Sequence, residues 1–174
     1  MSGEHALVVG GSGMLAGLCR RLAASGWEVT VVGRNAAKLA CATARDPRLH
    51  PLSVDYEDVE AFAAVLASAT AARGPFTLAV CWIRSWAPRA LLASADALPP
   101  GGRLLHVLGS QGSDASATAM AELERREGLD YRQVQLGAFV DDGRRRWLTA
   151  EEISAGVYAA LVADRSYLLV GTEP

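Results

Sequence analysis

An α/β fold built on a doubly wound parallel sheet of six to seven strands is what this sequence predicts, from three observations. Short apolar, β-branched runs alternate with stretches of helical period along the chain. The first apolar run, Ala6 to Val9, passes directly into the cluster Gly10-Gly11-Ser12-Gly13 and then into a helical pattern. The fourth run, Phe76 to Ile83, is apolar almost throughout, as strands covered by helices on both faces are. This alternation predicts the strand order 3-2-1-4-5-6-7 in a single domain over residues 1–174, with ligand outside the carboxyl ends of the strands at the switch point.

The elements follow in order. Leu15, Leu18, Cys19 and Leu22 recur at helical spacing up to Gly26, and Trp27 to Gly33 reads as the second strand, completing a βαβ unit. An Ala-rich helix over 35–45 stops before Pro47, and His50 to Val54 is the third strand. Val59, Phe62, Ala63, Leu66 and Ala69 mark a helix within 56–73, closed by Gly74-Pro75. Pro88 suits the first turn of a helix buried through Leu91, Ala95 and Leu98. Pro99 to Gly102 breaks the chain before a fifth strand, Arg103 to Gly109. Ser113 or Asp114 caps a helix reaching Glu127, and Tyr131 to Leu136 is the sixth strand. A polar loop is expected from Asp141 to Arg146, then a capping box at Thr149 and Glu152 opening a last helix, and a seventh strand from Ser166 to Val170.

With 174 residues the chain buries roughly two-thirds of its unfolded surface. A hydrophobic content of 51% and a net charge of −2 give no pull toward nucleic acid or an anionic membrane. Cys19, Cys41 and Cys81 are odd in number and widely spaced in apolar surroundings, which argues for a reducing compartment. His5, His50 and His106 show no ligand spacing, so no metal is expected. The first apolar run ends at glycine rather than a cleavage site, and no run approaches a membrane span, so a cytoplasmic location is expected.

The glycine turn carries the chemistry. Gly11, Gly13 and Ala16 fit G-x-G-x-x-G/A, and Gly10, Gly13 and Ala16 fit G-x-x-G-x-x-A. Glycine lets backbone approach a pyrophosphate, and the helix start offers it N–H groups. Gly10, Gly11, Ser12, Gly13, Met14 and Leu15 are therefore the expected cofactor contacts. The end of strand two holds Arg34 and Asn35 instead of the carboxylate that would accept a ribose hydroxyl. A guanidinium binds a 2′-phosphate, so NADP(H) is favoured over NAD(H). Asp55, after strand three, suits the adenine edge or the cap of the next helix.

With these residues the chain resembles the short-chain dehydrogenase/reductase family over nearly its whole length. GGSGMLA is similar to the turn of its extended and atypical branches, GRN to its NADP-preferring members, and VD before the third helix to its adenine-contacting aspartate. The resemblance implies that Ser110, in HVLGS, polarises a substrate carbonyl and lies at the cofactor. It also implies a Tyr-x-x-x-Lys acid/base pair on the next helix, yet residues 113–127 hold no tyrosine and the chain's single lysine is Lys38. Packing of helices between subunits is common in the family and leaves a homo-oligomer open.

Trp82, Arg84 and Trp86 alternate at the end of strand four and would share one side of an extended chain, offering indoles to a ring and a cation to an anion. Arg144 to Trp147 lies in the expected loop after strand six, where the family often holds substrate or covers the cofactor. Three readings follow: an atypical reductase of a small carbonyl or alcohol, with Ser110 as orienting group and water or Arg84 in place of the tyrosine; a non-catalytic dinucleotide sensor; and a Rossmann core whose glycines serve packing alone.

Overall fold

In the computed structural model, residues 4–109 and 114–172 are described. The β-branched runs form β1 (His5–Val9), β2 (Glu28–Gly33), β3 (Leu49–Ser53), β4 (Phe76–Cys81), β5 (Arg103–Leu108), β6 (Asp130–Leu136) and β9 (Tyr167–Val170). They make one sheet in the order β3-β2-β1-β4-β5-β6-β9, every pair parallel. The predicted order is the observed one, because each strand is followed by a crossover long enough to return it to the same edge.

Alternate residues of β1 feed two cores. Ala6 and Val8 pack with α1 (Ala16–Ala24) and α6 (Ala150–Val162), while Leu7 and Val9 face α3 (Val59–Arg73) and α4 (Pro88–Asp96). α2 (Ala36–Thr43) and α5 (Asp114–Arg125) complete the helical layers, contributing the buried Leu39 and Leu123. The capping box expected at the start of α6 is present: Thr149 Oγ accepts from the Glu152 N–H, and the Glu152 carboxylate accepts from the Thr149 N–H. No helix among the described residues is long and apolar enough to cross a membrane.

Four expectations need correction. Residues after β6 are not a polar loop but a hairpin, β7 (Ala138–Asp141) and β8 (Arg144–Trp147), antiparallel around Asp142 (φ 46°) and Gly143 (φ 74°). Two successive positive φ values define the turn that matches strand twist, and Asp-Gly is one of its favoured sequences. Helix α3 starts at Val59, three residues later than the outer limit set from the sequence, because Asp58 rather than Asp55 caps it, accepting from the Ala61 N–H at 3.1 Å. Strand β4 ends at Cys81, and the chain turns at Arg84, whose carbonyl accepts from the Ala87 N–H at 2.9 Å, so Trp82 to Trp86 is not an extended run. Cys41 is exposed, unlike Cys19 and Cys81. Ser113, one of the two caps expected for α5, lies outside the described residues.

Two of the histidines bond across the sheet. His5 is buried, and since a carbonyl only accepts, its Nδ1–H donates to Gly74 O (2.9 Å) and Nε2 accepts from Thr30 Oγ1 (2.8 Å). His50 Nε2 meets Glu28 Oε2 at 2.6 Å across the β2–β3 pair.

Candidate functional site

The β1–α1 turn is shaped by its neighbours. Gly10 holds φ at +91°, a conformation that L side chains avoid, and a methyl there would meet Trp82 Cβ at 3.1 Å. A methyl on Gly11 would stand 2.6 Å from Val31 Cγ1 and 2.8 Å from Cys19 Sγ, so close packing of turn, α1 and β2 requires its absence. Gly13, by contrast, opens into empty space. Leu15 precedes α1 without a side-chain cap and the first turn of the helix carries no acid, although the Ala16 N–H donates to Gly13 O at 3.1 Å and the Glu151 carboxylate of α6 stands beside Gly17. Ser154 Oγ donates to Met14 O at 2.8 Å and so ties the turn to α6.

At the end of β2, Arg34 is exposed, and its Nη1 lies 3.9 Å from Asp55 Oδ2. Asn35 caps α2 by accepting from the Lys38 N–H at 2.9 Å, and Asp55 accepts from the Glu57 N–H at 3.0 Å. Gly33 and Ser12 bring the two strand ends together, since a methyl on Gly33 would be 2.7 Å from Ser12 Oγ. The glycine turn and Arg34 thus occupy the same, carboxyl-terminal end of adjacent strands.

Beside them, over the ends of β4, β5 and β6, is a cavity of about 970 Å3. It brings together Met14, Trp82 and Arg84 of the expected residues, with Trp86 and Trp147. Gly10 to Gly13, Leu15, Arg34, Asn35 and Asp55 are outside its lining among the described residues. Half-buried Trp82 stands between these two regions: its Cβ abuts Gly10 and its Cη2 abuts Gly109, where a methyl would approach to 3.1 Å. The indole therefore bridges the switch point from β1 toward β5.

Arg84 lies 5.3 Å over the Trp86 ring, and its backbone N–H reaches the Tyr56 hydroxyl at 3.4 Å. The Trp86 indole N–H donates to Glu57 Oε1 at 3.3 Å. The hairpin contributes Trp147 and is pinned by Arg146, which gives two 2.8 Å bonds to Glu152 and sits 4.2 Å over the Phe139 ring. Ser110 lies outside the described residues.

Two groups in the lining are not among the site residues that the sequence suggests. His106 is buried, its Nδ1 2.9 Å from the Tyr131 hydroxyl, and burial pushes its pKa down to about 4, leaving a neutral imidazole. Gln135 donates through Nε2 to Gly109 O (2.9 Å) and Leu136 O (3.2 Å), bracing the loop after β5. The signal for Gln135 is the polar face of β6, where Tyr131, Gln133 and Gln135 alternate with buried Arg132, Val134 and Leu136.

The residues present fit a dinucleotide at its phosphate and adenosine end: open space at Gly13, an uncapped helix start and an exposed guanidinium answer three anionic or polar demands. No protein-family model matches the chain, and no curated protein matches its sequence. Solved structures do match. A short-chain dehydrogenase from Streptomyces avermitilis superposes with a TM-score of 0.70 at 19% identity, over 99% of this chain and 89% of that one. The chain has the short-chain dehydrogenase fold. YwfH, an NADPH-dependent reductase involved in bacilysin biosynthesis, gives 0.74 at 13% identity, over 99% of both chains. A blue fluorescent protein from a metagenomic library, solved in complex with NADPH, gives 0.72 at 18%, over 98% of this chain and 97% of that one. Within this short-chain dehydrogenase fold, α5 contains neither tyrosine nor lysine.

Proposed function

We propose that the chain binds a nicotinamide dinucleotide, NADP(H) in preference to NAD(H), and acts as an oxidoreductase on a small carbonyl or alcohol substrate. The observation that carries this reading is the pairing of the open, uncapped β1–α1 turn with Arg34 on the next strand. Two solved structures of the same fold support it, one named as NADPH-dependent and one in complex with NADPH. Bound in this crevice, the reduced nicotinamide supplies hydride.

The chain's own residues would hold and orient. Gly10, Gly11, Ser12, Gly13, Met14 and Leu15 present backbone to the phosphates. Arg34 and Asn35 meet the 2′-phosphate side, and Asp55 the adenine side. Trp82 walls the crevice between Gly10 and Gly109, Ser110 orients the substrate carbonyl, and Arg84 supplies positive charge beside it.

Titrating NADPH fluorescence against the purified protein tests the reading, and absence of binding at millimolar cofactor removes it. One observation favours a second reading, a dinucleotide sensor without catalysis: the missing tyrosine and lysine of α5. Turnover across a carbonyl panel, lost in Ser110→Ala, establishes the enzyme; NADPH binding without turnover establishes the sensor.

A further inference from the structure

The cavity over β4, β5 and β6 combines exposed aromatic walls with one uncompensated charge. We propose that it binds a planar aromatic anion, its ring against the indoles of Trp86 and Trp147 and its carboxylate on Arg84. This names the substrate class for the oxidoreductase reading above and rests on it.

Three of the chain's four tryptophans, Trp82, Trp86 and Trp147, line this one cavity, with Tyr167 beside them. Trp86 is 63% exposed, Trp147 70% and Tyr167 54%. A single exposed aromatic is ordinary, but several converging on one concave surface mark a place where apolar area awaits cover. Met14 and Met120 add side chains that adapt to an inserted ring.

The charge is equally one-sided. Among the described residues the lining includes no aspartate or glutamate, and Arg84 is its one fixed cation. Burial keeps His106 neutral at pH 7. No ion pair among the described residues involves Arg84; the nearby carboxylate of Glu57 accepts from the Trp86 indole instead. The guanidinium stands 5.3 Å from the Trp86 ring centroid, so charge and aromatic surface are presented side by side.

A neutral ring would cover the indoles and leave Arg84 unpaired. An aliphatic anion would pair Arg84 and forgo stacking. A flat aromatic carboxylate meets both demands, through stacking and a charge-assisted, two-pronged hydrogen bond.

The test is calorimetric titration of the full chain with 2-naphthoate, 2-naphthylmethanol and cyclohexanecarboxylate, each with and without saturating NADPH. The expected result is that 2-naphthoate binds at least about tenfold more tightly than either control, the factor a charged hydrogen bond supplies. Arg84→Ala, a change at an exposed side chain, then brings 2-naphthoate to the affinity of the alcohol, and Trp86→Ala weakens both aromatic compounds. Equal affinities for the three compounds, or an unchanged value in Arg84→Ala, overturn the proposal. So does competitive displacement of 2-naphthoate by NADPH, which would assign Arg84 to the phosphates of the dinucleotide. If NADPH binds and 2-naphthoate does not, the oxidoreductase reading survives and the aromatic-anion site falls; the reverse pattern keeps the site and removes the oxidoreductase.

Discussion

Trp82 lies against Gly10, so that a methyl on that glycine would come within 3.1 Å of the tryptophan Cβ and 3.3 Å of Cδ1. The contact joins the glycine turn to the end of β4, and it makes glycine necessary at position 10 for two separate reasons, the positive φ and the space taken by the indole. Gly10→Ala is expected to destabilise the protein by about 1–3 kcal/mol from backbone strain, with an added cost for displacing Trp82. Urea unfolding of Gly10→Ala in the wild-type and Trp82→Ala backgrounds isolates the share of the indole: alanine keeps the Cβ at 3.1 Å, so the penalty should shrink only by the part due to Cδ1 at 3.3 Å. An identical penalty in both would show that the indole plays no part.

Arg34 and Asp55 form a loose pair, 3.9 Å apart with both side chains well exposed. On the cofactor reading, Arg34→Ala weakens NADPH by about 1.5–3 kcal/mol, the value of a charged hydrogen bond, and changes NADH much less. Asp55→Asn frees the guanidinium and removes a repelling carboxylate while keeping an Oδ1 acceptor for the adenine edge, so NADPH should bind about twofold to fivefold more tightly, in keeping with an exposed ion pair. Equal effects of Arg34→Ala on the two dinucleotides would remove the preference for NADP(H).

His106 is held neutral by burial, its pKa pushed down from 6.5 to about 4. Between those values the unfolded chain takes up a proton that the folded chain refuses, so stability is full above about pH 6.5 and falls as the pH drops toward 4. From pH 7 to pH 5 the loss from this residue is about 1–2 kcal/mol. Burial also lowers the pKa of His5, which adds a loss in the same direction. Replacing the pair together, His106→Leu with Tyr131→Phe, avoids stranding the Tyr131 hydroxyl and should flatten the dependence of the urea midpoint on pH. An equally steep dependence in the double variant would place the proton uptake elsewhere.

Burial pushes the thiols of Cys19 and Cys81 up to about 12, while Cys41 is exposed on α2. A thiol reagent such as dithionitrobenzoate should therefore label Cys41 in the native protein and reach the other two only on unfolding in urea. Rapid native labelling of Cys19 would show that the packing of α1 on the glycine turn opens readily.

Much of the fold is legible in local chemistry. Periodicity separates the strands from the helices, the crossovers set the sheet order, and Thr149 with Glu152 announces a helix start that the structure contains. The hairpin is legible too, in Asp142-Gly143, but β7 is mostly apolar without alternation and β8 is a run of arginines, so neither flank shows the period of a half-buried strand. Strand ends and caps were displaced by a few residues because Asp55 and Asp58 offer the same chemistry and only the path of the chain selects between them.

The glycine turn and Arg34 could be read together because both depend on one short βαβ unit, whose geometry is set within it. Trp82 against Gly10, Asp55 beside Arg34, and the meeting of Arg84, Trp86, Trp147 and Tyr167 in the lining of one cavity could not be read that way. These contacts join loops from strands far apart in the chain, and a loop's direction is set by the packing beneath it rather than by its own residues. Local sequence thus accounts for a Rossmann sheet with a glycine-rich β1–α1 turn, while packing between its loops builds the aromatic cavity beside it.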